Sequence, residues 1–316
     1  MTKSNTPNRP ILSMAIGPKN PADSESLHRG LQNLAQEDPT MNIATDPDGQ
    51  TIVSGMGELH LEIICERLRR EYKVQLDPGH PRVLYLETIR GQAEAEGKYI
   101  RQTGGKGQYA HVRLRIEPQE QGKGYEFVNE VVGESIREDF IEPINQGIQQ
   151  ALESGILAGY PMVDLKATVY DGSYHDLDSN ELTFKIAGAM AFLEAARKAS
   201  PVLLEPVMAL QVYTPEDYAG AIMGDLSFRR GLIEGMQQRA DWQVIAATVP
   251  FAEMLGYGPK MRSITQGRAS YNMNFAHYEV APLTGESGPE EIGVTADKPR
   301  SPKSRSGFAA ANLDGI

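Results

Sequence analysis

The sequence predicts an α+β chain of three domains, in which two small βαββαβ sandwiches flank a middle domain of different design. At 316 residues the chain is about twice as long as a typical single-core domain. Its apolar residues switch between strand and helix spacing along the chain. The same order of strand and helix patterns occurs near both ends, without repetition of the sequence itself.

The first domain is predicted over residues 9–83, after a flexible N-terminus at 1–8. Its predicted elements are a strand at 11–16, a helix ending near 38, strands at 42–45 and 51–54, a helix at 57–71 and a strand at 74–76. The first helix places Leu27, Leu31 and Leu34 at helical spacing. This order is the split βαβ, or ferredoxin-like, sandwich of two helices on an antiparallel sheet.

The middle domain is predicted over residues 84–206 as α+β, with longer strands. Its predicted elements are strands at 84–97, 111–118, 125–131 and 162–170 and helices at 139–154 and 179–199. Two conspicuous turns interrupt them. The turn at 103–109 joins two strands, and the turn at 171–176 joins a strand to a helix.

The third domain is predicted over residues 207–282 as a second ferredoxin-like sandwich. Its predicted elements are a strand at 202–213, a helix begun by Pro215 and ending near 229, strands at 232–239 and 242–249, an interrupted helix at 251–265 and a strand at 269–278. Beyond Pro282 the composition turns to Gly, Ser, Pro and charge, which predicts a disordered tail over 283–316.

Composition excludes several classes of protein. The net charge of −11 argues against a surface that binds nucleic acid everywhere, because phosphate neutralisation needs clustered Lys and Arg. Residues 98–115 are the exception, because they contain five Lys and Arg and no acidic residue. With one cysteine, no His or Cys pairing of metal-ligand spacing, no long apolar run and no secretory signal, we expect a cytoplasmic protein without metal or membrane partners.

The turn around Gly104, Gly105, Lys106 and Gln108 allows three interpretations. Glycines with a lysine could cradle phosphate, but a Walker A loop is excluded because Lys106 is followed by Gly107 and then by a predicted strand. A flexible hairpin tip is the structural alternative. Gln108 and Tyr109 beside basic residues favour the third interpretation, an RNA contact by hydrogen bonding and stacking.

The turn at 171–176 also allows more than one interpretation. His175 follows Gly172 in a polar turn and is expected to be exposed. A hydrolytic triad of Ser173, His175 and Asp176 is a remote alternative, because residues on one turn rarely point at one another. A helix cap at Asp176, Asp178 or Ser179 is compatible with any function.

Basic residues of the third domain cluster in two short stretches, at 227–231 and 260–268. They could be solvated helix ends, where cations favour the C-terminal dipole. The clustering of five of the six basic residues makes a phosphate-contacting face the competing interpretation.

Several motifs resemble elongation factor G, the ribosomal translocase, in order and at family spacing over roughly residues 10–282. These are GMGELHLEIICERL (55–68), TGGKGQYAHV (103–112), LAGYPMVDLKATVYDGSYHDLDSNELTFK (157–185), PVLLEPVM (201–208), GDLSFRRG (224–231) and EMLGYGPKMRSITQGRASYNMNF (253–275). The resemblance implies the third, fourth and fifth domains of that factor. It also implies that the middle domain has a ribosomal-protein-like fold, similar to the second domain of ribosomal protein S5.

The resemblance implies two sets of RNA contacts. At the decoding site of the small subunit, the tip of the middle domain would contact the transfer RNA–messenger RNA duplex through Gly104, Gly105, Lys106, Gln108, Tyr109, Ser173, Tyr174, His175 and Asp176. Near the sarcin–ricin loop and stalk base, the third domain here would contact large-subunit RNA through Arg229, Arg230, Lys260, Arg262 and Arg268. The expected partners are the ribosome, its RNA and that duplex, with the chain a monomer.

The chain also departs from the family. No Walker A, switch or guanine-specificity motif occurs, so we expect no GTPase activity here and assign GTP and magnesium to a missing domain. Ala110 lies where the family usually has glycine, and Asn180 lies where the family is rich in serine. The low-complexity tail at 283–316 takes the place of the family's final helix. The resulting hypothesis is a non-catalytic, ribosome-engaging portion of a translocase. The alternatives are a recycling or ribosome-protection relative and, remotely, a stand-alone hydrolase.

Overall fold

The computed structural model describes residues 9–46, 49–103, 106–239 and 241–282, which form three β-sheets packed with helices. The predicted flexible N-terminus (1–8) and disordered tail (283–316) lie outside the described residues. Within the described ranges, no helix has both the length and the apolar character needed to cross a bilayer.

The first sheet carries two helices on one face. Its elements are β1 (Leu12–Pro18), α1 (Ser24–Glu37), β2 (Asn42–Thr45), β3 (Thr51–Gly55), α2 (Glu58–Glu71), β4 (Leu76–Pro78) and β5 (Arg82–Val83). The strand order is β2-β3-β1-β4, all antiparallel, with β5 also on β1. The helices approach closely, since a Cβ on Gly30 would lie 2.8 Å from Leu68 Cδ2. The predicted βαββαβ order is confirmed.

The middle of the chain forms a sheet of order β7-β8-β10-β9 with two helices. Its elements, preceded by β6 (Leu86–Ile89), are β7 (Ala93–Thr103), β8 (Lys106–Pro118), β9 (Tyr125–Asn129), α3 (Ile141–Ser154), β10 (Leu165–Ser173) and α4 (Glu181–Lys198). Strands β9 and β10 are parallel and the other pairs antiparallel. We call residues 93–198 the tip-bearing unit.

Three strand predictions in this region were wrong in their limits. Strand β8 begins at Lys106, five residues before the predicted start at 111, because it pairs with β7 from Thr103 onwards. The single strand predicted at 84–97 is split, because the chain turns at Arg90 and Gly91, whose N–H groups donate to the Ala199 carbonyl. Strand β10 extends to Ser173, beyond the predicted end at 170, because Gly172 lets the backbone approach β8. A Cβ on Gly172 would lie 2.3 Å from the His111 carbonyl oxygen.

The last sheet repeats the strand order of the first. Its elements are β11 (Pro201–Pro215), α5 (Glu216–Phe228), β12 (Leu232–Arg239), β13 (Trp242–Pro250), a short 3-10 helix (Phe251–Met254), α6 (Tyr257–Thr265) and β14 (Ser270–Val280). The order is β12-β13-β11-β14, and β6 pairs with the start of β11. Pro215 lies at the N-cap rather than at the first helical position, because its ψ of 151° is still extended.

The first and last sheets share one hydrophobic core. Buried side chains of both belong to a single cluster, among them Leu31 and Leu68 from the first and Val212 and Tyr257 from the last. The tip-bearing unit has its own core around α3 and α4. We call the first and last sheets, with their helices and β6, the body. Strand β11 crosses the predicted domain limit at 206/207 without a break.

Candidate nucleic-acid interface

The two predicted tip segments meet at one end of the tip-bearing unit. Strands β7 and β8 pair up to Thr103 and Lys106, and the predicted contact residues Gly104 and Gly105 between them lie outside the described residues. The start of β8 lies against the segment between β10 and α4. A Cβ on Gly107 would lie 2.7 Å from a carboxylate oxygen of Asp178.

Tyr109 joins the two segments by three hydrogen bonds. Its hydroxyl lies 2.7 Å from Ser173 Oγ, its N–H donates to the Asp178 carbonyl at 2.9 Å, and its carbonyl accepts from Ser179 Oγ at 2.7 Å. Gln108 is also held, since its Oε1 accepts from the Tyr99 hydroxyl at 3.1 Å. The structure therefore brings together the residues that the sequence placed in two separate turns.

Beyond these bonds the tip presents exposed side chains. The side chain of His175 is 57% exposed, and its Nδ1 lies 3.4 Å from Asp178 Oδ2. Asp176 is exposed as well. Tyr174 is partly buried, with its ring 6.3 Å from that of Phe140, so its side chain also supports the core of the unit.

Sequence reasoning missed Leu177, which is 84% exposed between Asp176 and Asp178. A leucine in an acidic turn, outside any amphipathic period, was the available signal. An apolar side chain at this position can pack against a base or a sugar, where a purely charged turn would only repel phosphate.

The helix cap was predicted at Asp176, Asp178 or Ser179, and this prediction was wrong. The N-cap of α4 is Asn180, whose Oδ1 accepts from Thr183 N–H at 3.0 Å while Thr183 Oγ1 accepts from Asn180 N–H at 3.0 Å. This reciprocal capping box satisfies two helix-end donors. Ser179 is unavailable as a cap, because its hydroxyl bonds Tyr109 and accepts from His175 N–H.

The alternative triad of Ser173, His175 and Asp176 is not assembled. His175 lies beside Asp178, and Ser173 Oγ bonds Tyr109. Ser173 does lie near another imidazole, that of His111, whose Nδ1 is 3.4 Å away and whose Nε2 is 3.0 Å from Glu96. The hydrogen bond from His111 lowers the pKa of Glu96. This geometry links strands β7, β8 and β10.

The basic stretch at 98–115 is partly neutralised by neighbouring strands. Arg113 lies 3.4 Å from Asp171 on β10, and Arg115 lies 2.9 Å from Glu130. Lys98 and Arg101 are exposed, with no carboxylate within 4.0 Å in the described part of the chain. The free positive charge therefore lies on the half of the β7–β8 hairpin nearer the tip.

Two of the predicted large-subunit contacts are paired with other groups of the body, although Arg230 itself remains exposed. Arg229 lies 2.9 Å from Asp225, donates to the Glu253 carbonyl and lies over the Tyr257 ring at 5.1 Å. Arg230 pairs with the buried carboxylate of Glu205. Apart from Asp225, which lies one helical turn before Arg229, these partners come from other segments, which local composition could not reveal.

The other three predicted contacts, Lys260, Arg262 and Arg268, are exposed on α6 and just after it. Among the described residues, none of the three has a carboxylate within salt-bridge distance. They form the accessible basic face of the body. No group of metal-ligating side chains occurs within the described ranges.

Comparison with known families gives three consecutive matches. Residues 8–80 match the model for elongation factor G domain III, residues 81–200 the model for domain IV, and residues 202–286 the model for the elongation factor G C-terminus. Together the matches include both tip segments and the basic face of the body.

A solved crystal structure of a protein from Thermus thermophilus is also similar. It is 40% identical, with a TM-score of 0.68, and the match covers 87% of this chain and 41% of that one. The present chain thus spans less than half the length of that relative. On the three family matches, in order and over nearly its whole length, the chain belongs to the elongation factor G family.

Proposed function

We propose that this chain is the ribosome-engaging part of a translational translocase. Its tip would enter the decoding site and contact the transfer RNA–messenger RNA duplex, promoting movement of both. The observation that carries this proposal is the Tyr109–Ser173 bridge, with Ser179 beside it, because it holds two segments as one surface beneath the exposed His175. A preorganised surface binds a nucleic-acid shape with less loss of entropy than two free loops.

The body supplies the second contact in this proposal. Lys260, Arg262 and Arg268 would contact phosphates of large-subunit RNA, while Arg229 and Arg230 hold the surrounding structure. Phosphate contacts of this kind position a protein without reading sequence. The tip and basic face would then fix the chain at two points on a cytoplasmic ribosome, as a monomer.

Nucleotide hydrolysis is assigned elsewhere in the proposal. We infer that GTP and magnesium are bound by a separate GTPase domain, and that this chain contributes binding and displacement rather than catalysis. A recycling or ribosome-protection role remains the alternative within the family. The two are separated by whether a form joined to a GTPase domain moves transfer RNA or only splits or clears ribosomes.

The first test is co-sedimentation with ribosomes at low and moderate salt. We expect saturable binding that weakens with salt, because cations of the protein release counterions from RNA. His175→Ala should weaken binding by roughly two- to tenfold, the value of about one hydrogen bond. His277→Ala, the same change at an exposed histidine of β14, is the matched control and should bind as the parent does.

A second measurement separates binding from movement. In a form joined to a GTPase domain, His175→Ala and a replacement of the 104–108 loop should slow transfer RNA movement while leaving the fold intact. Parental rates in both variants would contradict a tip that acts on the duplex. Absence of binding by the parent chain would mean that these domains act only when the GTPase domain delivers them.

A further inference from the structure

The carboxylate of Glu87 is wholly buried and bound by backbone amides alone. Oε2 accepts from the N–H groups of Ile156 and Leu157 at 2.6 and 2.9 Å, and Oε1 from those of Ala158 and Tyr160 at 2.8 and 3.1 Å. No basic side chain of the described residues lies within 4.0 Å of it. These four N–H donors use the acceptor capacity of both carboxylate oxygens.

The two partners of this contact belong to different parts of the molecule. Glu87 lies on β6, which pairs with β11 in the last sheet of the body, opposite Leu203. The amides lie on the loop at 155–160, directly after α3 of the tip-bearing unit. The rings of Tyr85 and Tyr160 pack beside them, with centroids 5.4 Å apart.

The loop is shaped for this carboxylate. Gly155 has φ of 58°, in the left-handed region that favours glycine. A Cβ there would lie 2.2 Å from the Tyr160 carbonyl oxygen and 2.8 Å from Glu87 Oε1. Glycine at position 155 therefore leaves the space in which the loop closes around the Glu87 carboxylate.

We propose that Glu87 is a positioning residue that fixes the direction of the tip-bearing unit relative to the body. From the loop, α3 packs against α4, and the N-cap of α4, Asn180, lies beside the tip. A change in the loop is carried along this packed path to His175. Separating the buried carboxylate from its amide donors would leave a charge without hydrogen bonds, which costs much free energy. The contact therefore opposes rotation of the tip-bearing unit against the body more strongly than apolar packing does.

The relative direction can be measured as a distance between two spin labels. Cysteines introduced at Leu177 on the tip and at the exposed Arg29 on α1 report it. The native Cys65 is buried, and burial raises the pKa of its thiol, so the label attaches to the introduced thiols. A second label pair, at Leu177 and the exposed Gln150, reports distances within the tip-bearing unit.

Two variants disturb the contact from opposite sides. Glu87→Gln replaces two acceptor sites with an NH₂ group, and Gly155→Ala adds a methyl group 2.2 Å from the Tyr160 carbonyl oxygen and 2.8 Å from Glu87 Oε1, so the loop must move away from the carboxylate. We expect either variant to broaden the tip-to-body distance distribution about twofold, with the distribution inside the unit unchanged. Ile148→Val, which trims the core of the same unit, is the control for general loss of stability and should broaden neither.

Parental widths in both variants would overturn the proposal and leave Glu87 as a local support of the loop. If Glu87→Gln does not fold, Gly155→Ala carries the test. The consequence for movement rests on the proposed function: joined to a GTPase domain, Glu87→Gln should slow transfer RNA movement and keep ribosome affinity. The distances are measured without ribosomes, so failure of the proposed function and failure of this inference give different results.

Discussion

The hydroxyl oxygens of Tyr109 and Ser173, which are 64 residues apart in the chain, lie 2.7 Å from each other at the base of the tip. Tyr109 belongs to β8 and Ser173 ends β10, so this bond closes the gap between two strands where their ladder stops. Beyond it, His175 is supported by Asp178 and Ser179: its N–H donates to Ser179 Oγ, and its carbonyl accepts from the N–H groups of both residues. The order of the tip thus depends on few groups, which makes it open to test.

Tyr109→Phe should loosen the tip. The change leaves Ser173 Oγ with only the 3.4 Å contact to His111 and should cost about 1 kcal/mol. We expect faster amide exchange at residues 174–179, measured by hydrogen–deuterium exchange. Tyr125→Phe, which removes a hydroxyl bonded to Asn145 in the same unit, is the control. Equal protection of 174–179 in parent and Tyr109→Phe would show that the bridge does not order the tip.

Asn180→Ala should destabilise α4 by about 1 kcal/mol, because the Thr183 N–H loses its acceptor, Asn180 Oδ1, while the backbone N–H at position 180 can still donate to Thr183 Oγ1. Equilibrium unfolding in urea measures this loss. Asp176 is exposed, so Asp176→Ala should change the free energy of unfolding by less than about 0.5 kcal/mol. A larger loss in Asp176→Ala than in Asn180→Ala would restore the cap position that the sequence suggested.

Alanine substitutions at Arg229 and Arg262 should have different effects, the first on stability and the second on ribosome binding. Arg229→Ala removes a charged hydrogen bond to Asp225 and the contact with Tyr257, and should cost roughly 2 kcal/mol of unfolding free energy. Arg262→Ala should change stability by less than about 0.5 kcal/mol. It should instead weaken ribosome co-sedimentation and lower the salt slope by about one. Unaltered binding of Arg262→Ala would remove α6 from the proposed contact.

Asp38 gives a prediction about pH. Hydrogen bonds from the Thr40 side chain and backbone, at 2.6 and 2.8 Å, lower the pKa of Asp38, with His60 contributing and burial opposing. Because the pKa of Asp38 is lower in the folded than in the unfolded protein, its ionised form stabilises the fold at pH values above the unfolded pKa. This stabilisation is lost as the pH falls below about 4. Thr40→Val should raise this pKa, as followed by NMR titration, whereas Thr45→Val on β2 should not. An unshifted Asp38 in Thr40→Val would contradict the assignment.

The fold class was readable from the sequence because periodicity reports burial directly. Leucines 27, 31 and 34 lie on the buried face of α1, and the strand patterns near both ends gave the same order that the sheets show. The limits of β10 were not readable in this way. Asp171 and Gly172 have the composition of a turn, and only the close approach of β8 keeps them in a strand.

The candidate site was predictable in part for a related reason. Both tip segments were identified by their composition, but Asp176, Asp178, Ser179 and Asn180 are all residue types that cap helices. A tertiary bond from Ser179 to Tyr109 decides among them. The roles of Arg229 and Arg230 likewise depend on Glu253 and Glu205, which lie on other elements.

The shared core of the body has a consequence for synthesis of the chain. Buried side chains of residues 11–85 pack with those of residues 203–281, and the tip-bearing unit lies between them in the sequence. At roughly 5–20 residues per second, the intervening segment takes on the order of 6–24 seconds to synthesise. During that time we expect the first sheet to expose apolar surface that the last sheet later covers, and so to be a binding site for chaperones on the nascent chain.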